Sequence, residues 1–213
     1  MQNDAVCYIV GAGEDYGLDF LPREGDLVIA ADGGLDRVLA AGIRPDLVIG
    51  EIDSLGHIPN GDEVVVLPRV KDVTDTWAAI ELGKERGCRC FWLYGCTGGR
   101  FDHTLANIQT LAALAEAGMR GVLVDRDQVI TALSCGTMAF GAEEQGFLSV
   151  FSHTDRCSGV TLKGLKYELE DAELTNRFPL GVSNEFVGKR SSVIVGEGTL
   201  ILVLDKGTKI SCF

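Results

Sequence analysis

The chain has 213 residues, 46% of them hydrophobic and 23% charged, which excludes a disordered or fibrous polypeptide and sets one or two domains. With 19 Lys and Arg against 31 Asp and Glu, the net charge is -12. That excludes the basic footprint required by nucleic acid or an anionic membrane, and it suits a bound cation or a polyanion screened by divalent metal. Residues 1–4 begin no basic-then-apolar leader, and no apolar run approaches the roughly 18 residues of a membrane span. The 7 cysteines, odd in number and without CxxC spacing, are expected as reduced thiols of a cytoplasmic protein.

In chain order, the runs 6–10, 27–31, 47–50, 64–67, 91–94 and 122–124 are short, apolar and mostly bounded by Gly, Asp or Pro, which predicts strands. Helices are predicted over 35–41, 74–86 and 103–117, where Gly42, Gly87 and Gly118 stand just past the ends as left-handed caps. Strands of this kind alternating with helices predict an α/β domain with a mostly parallel sheet and helices on both faces. Beyond about residue 127 the helical period is lost. The runs 129–133, 137–140, 147–151, 159–162, 193–195 and 199–204 read as strands separated by turn residues, the spacing of an antiparallel sandwich or small barrel. This change of rhythm assigns residues 1–130 to an α/β domain and 131–213 to an all-β domain.

Acidic residues follow four of the predicted strands. Asp32 precedes Gly33-Gly34; Glu51 and Asp53 follow 47–50; Asp72 and Asp75 follow 64–67, with Thr74 between them; Asp102 follows 91–94. In an open parallel sheet the ligand crevice lies at the carboxyl ends of the strands, so these groups are expected to converge on one cleft. Crowded carboxylates repel unless a cation is present, and hard oxygen donors suit Mg²⁺ with substrate phosphates and water. Any one of these aspartates alone reads equally as a turn or helix-cap residue; their shared position favours a metal-phosphate cleft.

The phosphate-holding candidate is Gly95-Cys96-Thr97-Gly98-Gly99-Arg100, between a predicted strand and a predicted helix. Glycine-rich backbone there can approach an anion closely, and Arg100 adds a planar fork suited to phosphate oxygens. It is not a P-loop, because GxxxxGK[ST] is absent. Gly11-Ala12-Gly13 is a weak dinucleotide-type signal, balanced between an ordinary turn and a phosphate contact. His57, His103 and His153 show no metal-ligand spacing, and Cys96 has no identifiable activating base.

Together these strings resemble the thiamine pyrophosphokinase (thiamine diphosphokinase) family. Ala31-Asp32-Gly33-Gly34 is similar to its ADGG segment, residues 45–54 to its PD…GDxDS segment, residues 71–75 to its KDxTD, and residues 98–103 to its GGRxDH. Residues 164–167 (GLKY) and Ser183-Asn184-Glu185 (SNE) continue the match in order through the second half. The resemblance implies an α/β catalytic domain followed by a β-sandwich thiamine-binding domain, paired in a homodimer with the active site at the subunit interface. It implies transfer of the β,γ-pyrophosphoryl group of ATP to the hydroxyl of thiamine, giving thiamine diphosphate and AMP. Asp32, Glu51, Asp53 and Asp75 would hold Mg²⁺. Asp32, Gly33, Asp72, Thr74, Gly98, Gly99 and Arg100 would bind the nucleotide, Asp53, Asp75, Arg100 and Asp102 would serve the chemistry, and Ser183 and Asn184 would bind thiamine. Glu51 stands where the family motif has its first aspartate, and the last predicted strand offers no aromatic to stack on thiamine. Tyr167, Phe178 and Phe186 are the candidates for that stacking.

Two rival readings use the same residues. A Mg²⁺-dependent nucleotide or diphosphate hydrolase would consume ATP without thiamine and give Ser183-Asn184 no role. A non-catalytic thiamine-binding module would bind its ligand and form no AMP, with Glu51 as the feature that keeps it open.

Overall fold

A computed structural model of the chain describes residues 5–50, 63–66 and 73–211, the segment 63–66 by its backbone pairing. Glu51, Asp53 and Asp72 lie outside the described residues. The chain divides into two compact units, Met1–Asn107 with Leu123–Asp125, and Ile108–Val122 with Arg126–Phe213.

The first unit contains β1 (Val6–Val10), β2 (Leu27–Ala31), α1 (Gly34–Ala40), β3 (Leu47–Gly50), β4 (Glu63–Val66), α2 (Asp75–Glu85) and β5 (Cys90–Tyr94). The next helix, α3 (Phe101–Glu116), and strand β6 (Arg120–Val124) are shared between the units. The pairs β1·β2, β1·β5, β2·β3 and β3·β4 are all parallel, giving the order β4-β3-β2-β1-β5. The interior is built by the apolar runs themselves: Ile9, Ile29, Leu47, Ile49, Phe91 and Leu93 are fully buried, each contributing about 1.5–3 kcal/mol on removal from water. The strand order reverses between β1 and β5, and such a switch point opens a crevice where the loops leave in opposite directions.

The helix ends follow their sequence signals. Thr74 caps α2 with extended backbone, its hydroxyl accepting from the Trp77 N–H at 3.2 Å. Gly87 is left-handed at φ 86, which lets Cys88 N–H reach back to the Gly83 carbonyl at 3.0 Å and close the helix. Gly42 and Gly118 close α1 and α3 in the same manner.

The second unit contains β7 (Gln128–Phe140), β8 (Phe147–Ser152), β9 (Arg156–Lys163), β10 (Leu169–Thr175), β11 (Gly181–Glu185) and β12 (Ser191–Asp205). Its pairings β7·β12, β8·β12, β9·β12, β9·β10 and β8·β11 are all antiparallel. The sequence reading splits both β7 and β12 in two, because Ser134-Cys135-Gly136 and Gly196-Glu197-Gly198 resemble turns. They are instead facing irregularities within continuous strands: the register jumps from Val195↔Gly136 to Thr199↔Ser134, and Cys135 is left-handed at φ 42. At this bulge the free edge of β12 changes partner, from β9 on one side to β8 on the other. Two strands escape the sequence reading. β10 is charged and largely exposed, the pattern of an edge strand, and β11 reads Gly-Val-Ser-Asn-Glu, with little apolar signal.

The expectation of reduced thiols is corrected at one position. Cys7, Cys88, Cys96, Cys135 and Cys157 are free, whereas Cys90 is disulfide-bonded. Spacing along the chain carries no such information, since pairing depends on proximity in the fold. No helix among the described residues is long and apolar enough to cross a membrane.

Candidate phosphate-binding cleft

The crevice predicted at the β1/β5 switch point is present as a cavity of about 400 Å³ within the first unit. Its walls are the turn after β1 (Gly11, Ala12, Gly13, Glu14), Asp32 after β2, the start of α2 (Thr74, Asp75, Thr76), and the loop after β5 from Gly95 to Arg100. His103 and Asn107, on the first two turns of α3, complete it.

The two glycine-containing turns interlock. Gly11 N–H donates to Tyr94 O at 2.8 Å, Gly13 N–H to Gly95 O at 2.7 Å and Glu14 N–H to Thr97 O at 2.9 Å. Any side chain at Gly13 would collide with these carbonyls; its Cβ would lie 2.6 Å from Gly95 O. The loop after β5 is fixed from behind: Asn107, itself buried, donates to Cys96 O at 2.7 Å, and Thr97 Oγ1 donates to Asp125 Oδ1 at 2.7 Å. The amides of Thr97, Gly98, Gly99 and Arg100, by contrast, donate to no acceptor among the described residues. Gly98 and Gly99 are both left-handed, and the loop feeds the N-terminus of the 16-residue helix α3. Successive amides without acceptors ahead of a helix N-terminus form a receptor for anions.

Asp32 is held in left-handed backbone at φ 49, a conformation that Asp tolerates better than most residues. Asp75 stands in the first turn of α2, just after the Thr74 cap. These two carboxylates, with Glu14, provide hard oxygen donors on the cavity wall. Among the described residues no group of three or more His, Cys, Asp or Glu side chains is gathered closely enough to hold a metal. Two carboxylates with phosphate oxygens do match what Mg²⁺ takes from proteins, so the donor set fits that ion. Cys96 is buried; removal from water pushes its thiol up to about 11, which keeps it protonated and unsuited to nucleophilic attack at neutral pH.

Of the residues picked out from sequence, Asp32, Thr74, Asp75, Gly98, Gly99 and Arg100 line this cavity, while Gly33 and Asp102 do not. Asp102 is exposed and bonded to Arg100, Nη2 to Oδ2 at 2.6 Å. The Arg100 guanidinium holds the Asp102 carboxyl below the usual carboxylate range. Thr97 and Ala12 stood inside the two glycine-containing segments picked out from sequence and His103 at the end of the 98–103 segment, whereas Glu14 and Asn107 carried no signal.

Ser183 and Asn184 belong to β11 in the second unit. Asn184 is 3% exposed, and its amide is engaged with the chain: Oδ1 accepts from Tyr167 N–H and Glu185 N–H, both at 2.9 Å, and Nδ2 donates to Tyr167 O at 2.7 Å. Ser183 is exposed and left-handed at φ 59, its N–H donating to Ser149 Oγ at 2.9 Å. Phe186 is buried edge-on against Phe140, with ring centroids 5.3 Å apart. Tyr167 and Phe178 instead expose 59% and 66% of their surface.

A parallel sheet whose switch-point crevice is walled by glycine-rich turns and carboxylates defines an α/β unit of the kind that places its ligand at the carboxyl ends of the strands. Two family models describe the chain: "Thiamin pyrophosphokinase, catalytic domain" over residues 20–123, and "Thiamin pyrophosphokinase, vitamin B1 binding domain" over residues 139–200. The thiamine pyrophosphokinase of Bacillus subtilis is 28% identical over 187 residues, 84% of this chain and 87% of that protein. Its crystal structure superposes with a TM-score of 0.83 at 26% identity, covering 95% of this chain and 99% of that one. The crystal structure of thiamin pyrophosphokinase from Geobacillus thermodenitrificans gives a TM-score of 0.83 at 28% identity, over 98% and 100% of the two chains. The chain belongs to the thiamin pyrophosphokinase family.

Proposed function

We propose that this chain transfers the β,γ-pyrophosphoryl group of ATP to the hydroxyl of thiamine, forming thiamine diphosphate and AMP. The hydroxyl oxygen bonds to the β-phosphorus, the bond from that phosphorus to the AMP oxygen breaks, and the hydroxyl proton is released. The observation that carries this reading is the cleft itself, where Thr97–Arg100, whose amides meet no acceptor among the described residues, line the same cavity as Asp32 and Asp75. Phosphoryl-type transfers depend mainly on positioning and charge stabilisation, which such a wall supplies.

Asp32 and Asp75 would hold Mg²⁺, with Thr74 next to Asp75 in the chain and Gly33 at the turn; the family motifs assign Glu51 and Asp53 to the same metal set and Asp72 to the nucleotide. Bound there, the ion would neutralise phosphate charge as the leaving group departs. The Thr97–Arg100 amides bind phosphate oxygens, and Arg100 stabilises the charge that develops on them. Asp102, kept ionised by Arg100, serves the chemistry through that arginine, whose guanidinium it holds in place by their ion pair. Ser183 offers its exposed hydroxyl to the aminopyrimidine of thiamine, while Asn184 has one amide hydrogen left beyond its bonds to Tyr167 and Glu185. Tyr167 and Phe178 are the aromatics placed to stack on the ligand, because Phe186 is in the core.

In this reading residues 1–130 form the catalytic domain, with helices on both faces of its sheet, and residues 131–213 form a thiamine-binding sandwich. The change of partner along β12 supports the sandwich. The protein acts in the cytoplasm as a homodimer with its active site at the subunit interface; the exposed apolar side chains Phe147, Phe178, Leu180, Val182 and Val187 support such pairing. The test is to incubate the protein with Mg-ATP and thiamine and separate the products. Equal amounts of AMP and thiamine diphosphate, both dependent on thiamine, are expected; nucleotide breakdown indifferent to thiamine overturns the reading in favour of a hydrolase.

A further inference from the structure

Arg37, on α1, takes no part in lining the cleft, yet its guanidinium lies against the back of the turn that does. Nη1 donates to Gly11 O at 2.8 Å, and Nη2 donates to Ala12 O at 3.4 Å and to Gly13 O. Three successive carbonyls of one turn thus point at a single cation. No cis peptide bond occurs among the described residues, and in a trans peptide the N–H projects opposite to the carbonyl it follows. The N–H groups of Ala12, Gly13 and Glu14 are therefore directed away from Arg37. Those of Gly13 and Glu14 meet Gly95 O and Thr97 O. The N–H of Ala12 meets no acceptor among the described residues, and Ala12 stands on the cavity wall.

We propose that the Ala12 backbone N–H donates to an anionic phosphate oxygen of the nucleotide, and that Arg37 is the positioning residue that holds this donor toward the cleft. The inference rests on the reading of the cleft as the ATP site. Arg37 draws the electronegative carbonyls to the rear, so the face presented to ligand is the donor face of the turn. A glycine on each side of Ala12 lets the turn pack directly on the loop after β5, which fixes it in place: a Cβ at Gly11 would lie 2.8 Å from Gly95 O, and one at Gly13 2.6 Å from the same atom. The charge of Arg37 also adds to the positive potential behind the donor.

The decisive variant replaces Ala12 by lactic acid through nonsense suppression, which exchanges the N–H for an ester oxygen and keeps the side chain. ATP affinity is measured by calorimetry and the thiamine KM by turnover. The ester should weaken ATP binding about tenfold or more, the loss expected for one hydrogen bond to a charged group, and leave the thiamine KM within twofold. Arg37→Met should reproduce that split, with Arg37→Lys recovering part of the affinity. An ester variant that binds ATP as tightly as the wild type overturns the proposal. If Arg37→Met raises both parameters alike, or fails to fold, while Arg37→Lys shows no split, the positioning role is overturned. Failure of the underlying reading shows separately, as wild-type protein that binds no ATP.

Discussion

Asn107 donates its side-chain amide to the carbonyl of Cys96 at 2.7 Å, a buried bond that holds the loop after β5. The bond anchors the loop after β5 to the second turn of α3, so the amides of Thr97–Arg100 are fixed before any ligand arrives. Asn107→Ala would leave the buried Cys96 carbonyl without its donor, costing about 1–3 kcal/mol of stability. Denaturant unfolding should report that loss, and calorimetry should show weaker ATP binding alongside it.

Gly13 tests the interlock of the two turns. Gly13→Ala places a methyl carbon 2.6 Å from Gly95 O, and because both partners are backbone the collision is relieved only by separating the turns. About 1–3 kcal/mol of destabilisation is expected, with ATP affinity reduced more than thiamine affinity. Gly34→Ala, whose methyl would run into the Val10 carbonyl at the base of α1, should instead damage folding itself, seen as a larger drop in the unfolding midpoint.

Cys96 gives the fold a pH dependence with a definite sign. Its thiol is raised by burial from an ordinary value near 9 to about 11. A raised folded-state pKa means the unfolded chain loses its proton first, so the stability this thiol contributes is complete below pH 9 and is lost as pH rises toward 11. Cys96→Ala should flatten that part of the stability profile. A wild-type and variant pair whose stability falls in parallel between these pH values would assign the loss to other groups.

Ser183 and Asn184 are neighbours in sequence but separable in role. Ser183→Ala removes an exposed hydroxyl and should raise the thiamine KM while stability stays within about 0.5 kcal/mol. Asn184→Ala strips partners from the Tyr167 and Glu185 backbone, so it should cost about 1–3 kcal/mol of stability. Parallel thermal melts and thiamine titrations distinguish the two outcomes.

The parallel half of the fold was legible because its strands are buried runs of Val, Ile and Leu and its helices carry caps such as Thr74 and Gly87. The antiparallel half was less so. Ser134-Cys135-Gly136 and Gly196-Glu197-Gly198 have turn chemistry, and only their pairing across two strands reveals a bulge. Leu169–Thr175 presents charges to solvent on an edge and carries no apolar period. In the cleft, Asp32, Asp75 and Arg100 could be picked out because side chains carry their chemistry. The loop of Thr97 could be picked out by its glycines, but which amides lack an acceptor, that of Ala12 above all, could not, since a backbone donor becomes available only through where its neighbours' carbonyls are drawn. Asp102 shows the converse: the motif places it beside Arg100, while the fold turns it outward to pair with that same arginine.

Pyrophosphoryl transfer in the acid-lined cleft of the first unit requires the Asp75 carboxylate, so turnover of Asp75→Asn is the decisive measurement. The substitution keeps the size and helix-start position of the side chain, at a cost of only about 0.3–1 kcal/mol from the lost charge at the helix N-terminus. Its kcat should fall at least about a hundredfold, the scale of losing an electrostatic stabiliser, with an unfolding midpoint close to that of the wild type. Near-wild-type formation of thiamine diphosphate and AMP by this variant would contradict it.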